Sequence, residues 1–398
     1  MEELTFEPGI TLITGLRGCG KSSLAADFAD LLREHGTSPD AIVTINFDEL
    51  HQGETLDLDA VHGYLNDCLK RSEDVFLFLD EPKSGRDFEA IVGSLYLNRK
   101  LHICVITSWR GIIDRELATV LSGGYRELRL WPLGFPEVVG VWRAETAFSE
   151  QKKNAARSWE QLYLSVGGLP RSALTADDMT HNREYLDGVL GRIIVRDVLR
   201  HYNLRDVNFL LEMLGYIYRC GYIGLTGDVI ADCLTMEGKR PHLATITGYF
   251  KALREAGLLI SLPRYDLKKK RVLKSALHWY APDPGLRRLM LGEPDVSAVG
   301  LWENLVCLEL WQRDYSLYKA RLYSVDLGLM ATGERTFYVK LTSLDIMDTA
   351  VKNLKTIPDQ YPKYVLTVEE TAEEDRQGIT VMSVRKFLWG NYSGESEA

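Results

Sequence analysis

Eight residues, Gly15-Leu16-Arg17-Gly18-Cys19-Gly20-Lys21-Ser22, fit the spacing GxxxxGK[ST]. In such a loop the glycines let the backbone wrap a phosphate and turn its N–H groups inward. A helix beginning near Lys21 then presents its positive end to the anion. Lys21 is expected to reach the β- and γ-phosphates and the Ser22 hydroxyl to ligate magnesium. Ser23, next on the first helical turn, completes the expected ATP-binding set Gly15–Ser23. ATP is the expected nucleotide, with GTP as the alternative.

A second element could complete that chemistry. Val75-Phe-Leu-Phe-Leu is an apolar run that ends in two carboxylates, Asp80 and Glu81. Asp80 is expected in the magnesium shell. Glu81 is expected to orient or deprotonate an attacking water, as phosphoryl transfer to water requires. The run Ile103-Cys-Val-Ile ends in two hydroxyls, Thr107 and Ser108, and either could meet the γ-phosphate or the water.

These groups need a scaffold. Residues 1–140 alternate short apolar runs with helical patterns, as a parallel α/β sheet does. The expected strands are 10–14, 41–47, 75–79, 103–107 and 127–130. Leu24, Phe28, Leu31 and Leu32 recur at helical spacing after the loop. Residues 141–200 read as helical. Within 201–292, Val207, Leu210, Leu211, Leu214 and Ile217 share one helical face. A short helix at 228–234 and a third at 245–256 follow, then apolar runs at 258–260 and 276–281 that could pair as a wing. Residues 293–398 read as mixed α/β.

The order of these landmarks resembles the archaeal-type ATPases of the AAA+/STAND P-loop group. Ile45-Asn-Phe-Asp48, Leu79-Asp-Glu81, Val105-Ile-Thr-Ser108, Trp131-Pro-Leu-Gly-Phe-Pro-Glu137, Gly167-Gly-Leu-Pro170, Val195-Arg-Asp197 and Asp283-Pro-Gly-Leu286 carry the match. Asp80-Glu81-Pro82 and Leu121-Ser-Gly-Gly124 also look like ABC-type ATPases, but in the wrong order. The resemblance implies an α/β P-loop core of the AAA+ type at 1–140 and a helical lid at 141–200. It further implies a winged helix at 201–292 and a restriction-endonuclease-like α/β domain at 293–398. The family's arginine after the fourth strand is absent, Gly123-Gly124 standing there, so Arg126 or Arg110 would have to substitute. Arg171, after the Gly-Gly-x-Pro turn, could reach phosphate from the lid.

The expected wing carries Arg264, Lys268, Lys269, Lys270, Arg271 and Lys274, and Lys239, Arg240 and His242 precede the third helix. Double-stranded DNA is one partner that fits; a protein docked through the winged helix or the C-terminal domain is the other. In the last domain Glu303, Asp326 and Lys340 resemble part of a nuclease metal set, but Ser324 and Tyr338 stand where carboxylates belong. A fold without nuclease activity is expected; an ATP-gated nuclease is the weakest of the alternatives.

Composition narrows the classes. The chain has 398 residues, 45% hydrophobic, with net charge −9, which disfavours a general nucleic-acid coat but not a local basic patch. No apolar run approaches the roughly 18–20 residues of a membrane helix, and the acidic Met-Glu-Glu-Leu start is unlike a secretory signal. The six cysteines, Cys19, Cys68, Cys104, Cys220, Cys233 and Cys307, show no metal spacing. Reduced thiols in a cytoplasmic protein are expected.

Overall fold

The computed structural model describes residues 9–49, 57–82, 91, 98–111, 125–144, 158–204, 206–236, 242–292, 298–323 and 325–390. Lys239, Arg240, Leu121–Gly124, Ser324 and the polar residues after Asn391 lie outside them, as does the side chain of Cys233. The chain divides into two compact units.

The first unit comprises Met1–Trp131, Ile193–Asp197 and Glu255–Gly257. Its elements are β1 (Gly9–Gly15), α1 (Lys21–Glu34), β2 (Ile42–Asn46), α2 (Leu58–Arg71), β3 (Val75–Asp80), β4 (Leu101–Thr107) and β5 (Arg126–Leu130). The five strands form one parallel sheet in the order β2-β3-β4-β1-β5. Each expected strand is present, and β4 lies between the strand of the glycine loop and the acidic strand.

Alternation along β3 shows why a continuous apolar run is needed. Val75, Leu77 and Leu79 pack with Leu65 and Leu69 of α2. Phe76 and Phe78 point the other way, onto Ala25, Phe28, Ala29 and Leu32 of α1. A strand buried on both faces cannot carry polar residues until it leaves the sheet, so Asp80 and Glu81 appear only at its end. Leu77 is fully buried, and Leu77→Ala would cost about 2–5 kcal/mol.

The second unit comprises Pro132–Arg192, Val198–Arg254 and Leu258–Ala398. It opens with α3 (Phe135–Ala144), α4 (Trp159–Val166), α5 (Pro170–Leu174) and α6 (Met179–Arg192), followed by a π-helical turn, Ile193–Leu199, whose first five residues belong to the first unit. Next come α7 (Val207–Cys220), α8 (Gly227–Met236), α9 (Leu243–Glu255), β6 (Ile260–Asp266) and β7 (Arg271–Tyr280). Leu210, Leu214 and Ile217 on α7 are buried, as are Ile246 and Leu253 on α9. β6 and β7 pair antiparallel, Ile260 opposite Tyr280. After α10 (Pro284–Leu291) come α11 (Val299–Gln312), β8 (Ser316–Leu322), β9 (Val325–Thr332), β10 (Thr336–Thr342), α12 (Met347–Lys355), β11 (Lys363–Thr367), β12 (Glu374–Asp375), β13 (Thr380–Ser383) and α13 (Val384–Trp389).

The hairpin β6–β7 does not stand apart. β6 pairs with β8, and the mixed sheet runs β12-β13-β11-β10-β9-β8-β6-β7. One face packs on α11, where Trp302, Leu305, Val306 and Leu310 meet Leu317, Leu329 and Val339. The other packs on α12, where Met347, Val351 and Leu354 meet Ala320, Leu327 and Val365.

Candidate nucleotide site

The turn between β1 and α1 is built by its glycines. Gly18 and Gly20 have φ 88° and 98°, a region only glycine adopts without strain, and Gly20 caps α1. At Gly15 a Cβ would lie 2.2 Å from the Leu130 carbonyl oxygen, so β5 could not approach. Lys21 is 5% exposed. Its Nζ donates to the Gly15 and Leu16 carbonyls at 3.0 and 3.2 Å and lies 3.8 Å from Glu81 Oε1.

Asp80 lies at the end of β3, 8% exposed. Burial pushes its carboxyl above the usual range, although a hydrogen bond with Ser22 pulls the other way. Among the described residues its Oδ1 is buried without a hydrogen-bond partner. A buried, unpartnered carboxylate oxygen beside a hydroxyl is a donor set suited to a hard divalent cation that takes its remaining ligands from phosphate and water. Among the described residues no cluster of three or more His, Cys, Asp or Glu forms an all-protein metal cage.

Glu81 takes φ +51°, a left-handed conformation costing roughly 1–3 kcal/mol and typical of functional sites. Its carboxylate is aimed at β4. Both oxygens accept the Ser108 N–H, at 3.1 and 3.0 Å, and Oε2 also accepts the Ser108 hydroxyl at 3.0 Å. That hydroxyl lies 3.2 Å from Asp197 Oδ2 as well. With one proton it serves one carboxylate at a time. Thr107 differs: its hydroxyl bonds the Trp109 backbone at 3.3 and 3.2 Å, bracing the turn.

Arg17 lies in the glycine loop and ties these acids together. Its guanidinium donates to Asp197 through two nitrogens at 3.1 and 2.9 Å and to Asp48 at 2.7 Å, and lies 3.6 Å from Glu81. Burial alone would lower its pKa, but the Asp197 hydrogen bond and the charges of Glu81 and Asp197 win, and it is held above the ordinary value. Arg196 donates to Asp48 at 2.6 Å. Burial raises the Asp48 carboxyl, yet Arg17 and Arg196 bring it below the usual range.

The sequence reading did not assign the side chains of Arg17, Asp48, Arg196 and Asp197 to this network. The signal was there in part: the landmarks Ile45–Asp48 and Val195–Asp197 each end in aspartate, far apart in the chain. The other expected residues make contacts of their own. Arg110 pairs with Glu127 at 3.3 Å. Arg171 belongs to the second unit, its guanidinium over the Tyr185 ring. Lys268–Arg271 are exposed at the β6–β7 turn, with Lys268 over the Tyr323 ring and the Lys269 N–H bonded to Asp266. Glu303 is buried against Lys319 at 2.7 Å, and Asp326 pairs with Lys340 at 3.3 Å.

The family model of an AAA domain matches residues 7–139, which contain the glycine loop, Asp80, Glu81 and Ser108. That stretch is similar to an AAA domain. A domain of unknown function, DUF8612, matches residues 157–297 of the same chain. An uncharacterized protein of Haemophilus influenzae is 26% identical over 385 residues, 95% of this chain and 94% of that protein. The Walker-type ATPase of Pyrococcus abyssi is similar in structure at 15% identity, over 73% of this chain and 92% of that one, with TM-score 0.47. The ORC2 protein of Aeropyrum pernix is similar at 13% identity, over 71% and 87% of the two chains, with TM-score 0.39. An AAA domain implies nucleotide binding. Among the described residues, no helix of the chain is long and apolar enough to cross a membrane.

Proposed function

We propose that the chain is a magnesium-dependent ATP-binding protein that hydrolyses ATP, and that its nucleotide state controls a DNA-binding winged helix at 201–292. The observation that carries the first part is the buried Lys21 beside an Asp80 oxygen that has no partner. Lys21 exchanges its bonds to the Gly15 and Leu16 carbonyls for the β- and γ-phosphates. Ser22 and Asp80 would hold magnesium, which neutralises charge on the transferred phosphoryl group. Glu81 orients or deprotonates the attacking water, and Ser108 sets the direction of its carboxylate. Breaking the Ser108 bonds frees Glu81 for that role.

DNA binding is supported by the order of α7, α8, α9 and the β6–β7 hairpin, and by the exposed Lys268–Arg271 turn. The last domain, 293–398, is proposed as a nuclease-like fold without activity, because Lys319 and Lys340 already take up its carboxylates. A cytoplasmic location fits the free thiols of Cys19, Cys68, Cys104, Cys220 and Cys307.

A second reading is a nucleotide-dependent protein-docking switch with little turnover. It is favoured by exposed apolar side chains on the same module, Ile223, Val229 and Leu243 at 59%, 42% and 47%. Glu81→Gln separates the two. For an ATPase it keeps ATP affinity and loses turnover, since an amide keeps the shape and cannot take a proton. Wild-type turnover in this variant would remove Glu81 from the mechanism.

A further inference from the structure

The eight-stranded sheet of the second unit carries its own concentration of charge. Lys319 on β8 is 4% exposed. Its Nζ lies 2.7 Å from Glu303 Oε2 and 3.9 Å from Asp326 Oδ2. The Tyr280 hydroxyl donates to Glu303 Oε1 at 2.6 Å. Lys340 lies 3.3 Å from Asp326 Oδ1. Two ammonium groups therefore already neutralise the two acids.

Two guanidinium groups are left over. The strand register sets Arg264 of β6 opposite Lys319, and Arg321 of β8 opposite Asp326. Among the described residues neither Arg264 nor Arg321 forms an ion pair, and Arg321 Nε is buried with no hydrogen-bond partner. His278, 2% exposed, also has a buried unpartnered Nδ1. The edges of Arg264 and His278 meet over Gly224: a Cβ there would lie 2.7 Å from Arg264 Nη2 and 3.1 Å from His278 Nε2. Gly224 has φ +87°, so the chain crosses these groups where a side chain would not fit.

Gathering like charges in a half-buried place is unfavourable unless something compensates them. Burial and the neighbouring Arg321 lower the pKa of the Arg264 guanidinium. Both arginines remain partly exposed, so solvent-borne groups can reach them. Planar guanidinium forks match the oxygens of a phosphate, two N–H bonds at a time.

We propose that Arg264 and Arg321, backed by His278 and Lys340, form a binding site for a phosphate group on the eight-stranded sheet. Lys319 and Glu303 form its buried floor. The site uses residues other than those of the Lys268–Arg271 turn and of the glycine loop. The phosphate can belong to a nucleic-acid backbone or be free in solution, and the test distinguishes these sources.

The test uses the full chain carrying Lys21→Ala, which silences phosphate binding at the glycine loop. Inorganic phosphate and a short DNA duplex are the two probes, each titrated against this parent and against its Arg264→Gln/Arg321→Gln form. If the site takes free phosphate, the parent binds phosphate and the double variant weakens it at least tenfold. If it takes a DNA backbone, the slope of log affinity against log salt falls by about 1.8, two contacts at roughly 0.9 each. Arg264→Lys/Arg321→Lys keeps the charges and should keep the slope. Arg264→Gln alone, at a partly exposed position, should lower the slope by about 0.9 and serves if the double variant does not fold. A parent that binds neither probe, or a folded Gln variant that binds both as the parent does, overturns the proposal.

Discussion

Replacing Arg17 by methionine removes one guanidinium from three carboxylates and keeps most of the side-chain bulk. The cost can be worked from the geometry. Arg17 is 16% exposed and Asp197 3%, and they share two hydrogen bonds at 3.1 and 2.9 Å. Asp48 retains Arg196, and Glu81 retains Ser108. Among the described residues Asp197 keeps only the shared Ser108 hydroxyl, so it bears most of the loss. Breaking a buried pair from one side costs about 3–5 kcal/mol, and the lower end applies to a side chain in partial contact with water. At about 2–4 °C per kcal/mol for a unit of this size, the melting transition of the AAA unit should fall by about 6–12 °C. Calorimetry on the full chain reads this directly. Asp197→Asn should restore part of the loss in the Arg17→Met background, since no uncompensated charge is then left behind. A transition within about 2 °C of wild type in Arg17→Met would refute the reasoning, because no buried charge could then have been stranded.

His278 titrates at about 3, well below its ordinary 6.5, because burial and then Lys319 and Arg264 disfavour the charged ring against the opposing pull of Asp326. The unfolded chain takes the proton first. Stability from this group is therefore complete above about pH 6.5 and is lost as pH falls towards 3, by roughly 1.4 kcal/mol per unit; His278→Gln should flatten that slope in urea unfolding followed against pH. Neutralising Lys268, Lys269, Lys270 and Arg271 together should lower the salt slope of duplex binding by about 3–4 if all four meet phosphates, and an unchanged slope would favour the protein-docking reading. With magnesium or manganese the purified chain should not cut DNA, and cleavage that disappears in Asp326→Ala would reinstate the nuclease.

The AAA core was legible because its chemistry is local. Gly15–Ser22 and Asp80-Glu81 each lie within one turn or strand end, and the apolar runs at 75–79 and 103–107 read as strands buried on both faces. What joins them was not legible. Arg17 meets Asp197 across 180 residues of chain, and no spacing rule pairs an arginine with an aspartate at that distance. The same holds for Lys319, which reads as an ordinary strand lysine but is buried between Glu303 and Asp326. Tyr280 had a place in the expected wing, but its bond to Glu303 depends on β6 joining β8, a register that the hairpin's own sequence does not specify.

In the proposed function, the AAA domain at 7–139 binds ATP through Lys21 with magnesium at Ser22 and Asp80. Isothermal calorimetry of ATP with magnesium against wild type and Lys21→Ala tests it most directly. The wild type should bind, and the variant should lose tight binding because it lacks the ammonium assigned to the β- and γ-phosphates. Omitting magnesium should weaken the wild type as well. Equal affinity in wild type and Lys21→Ala would contradict the assignment of the phosphate site.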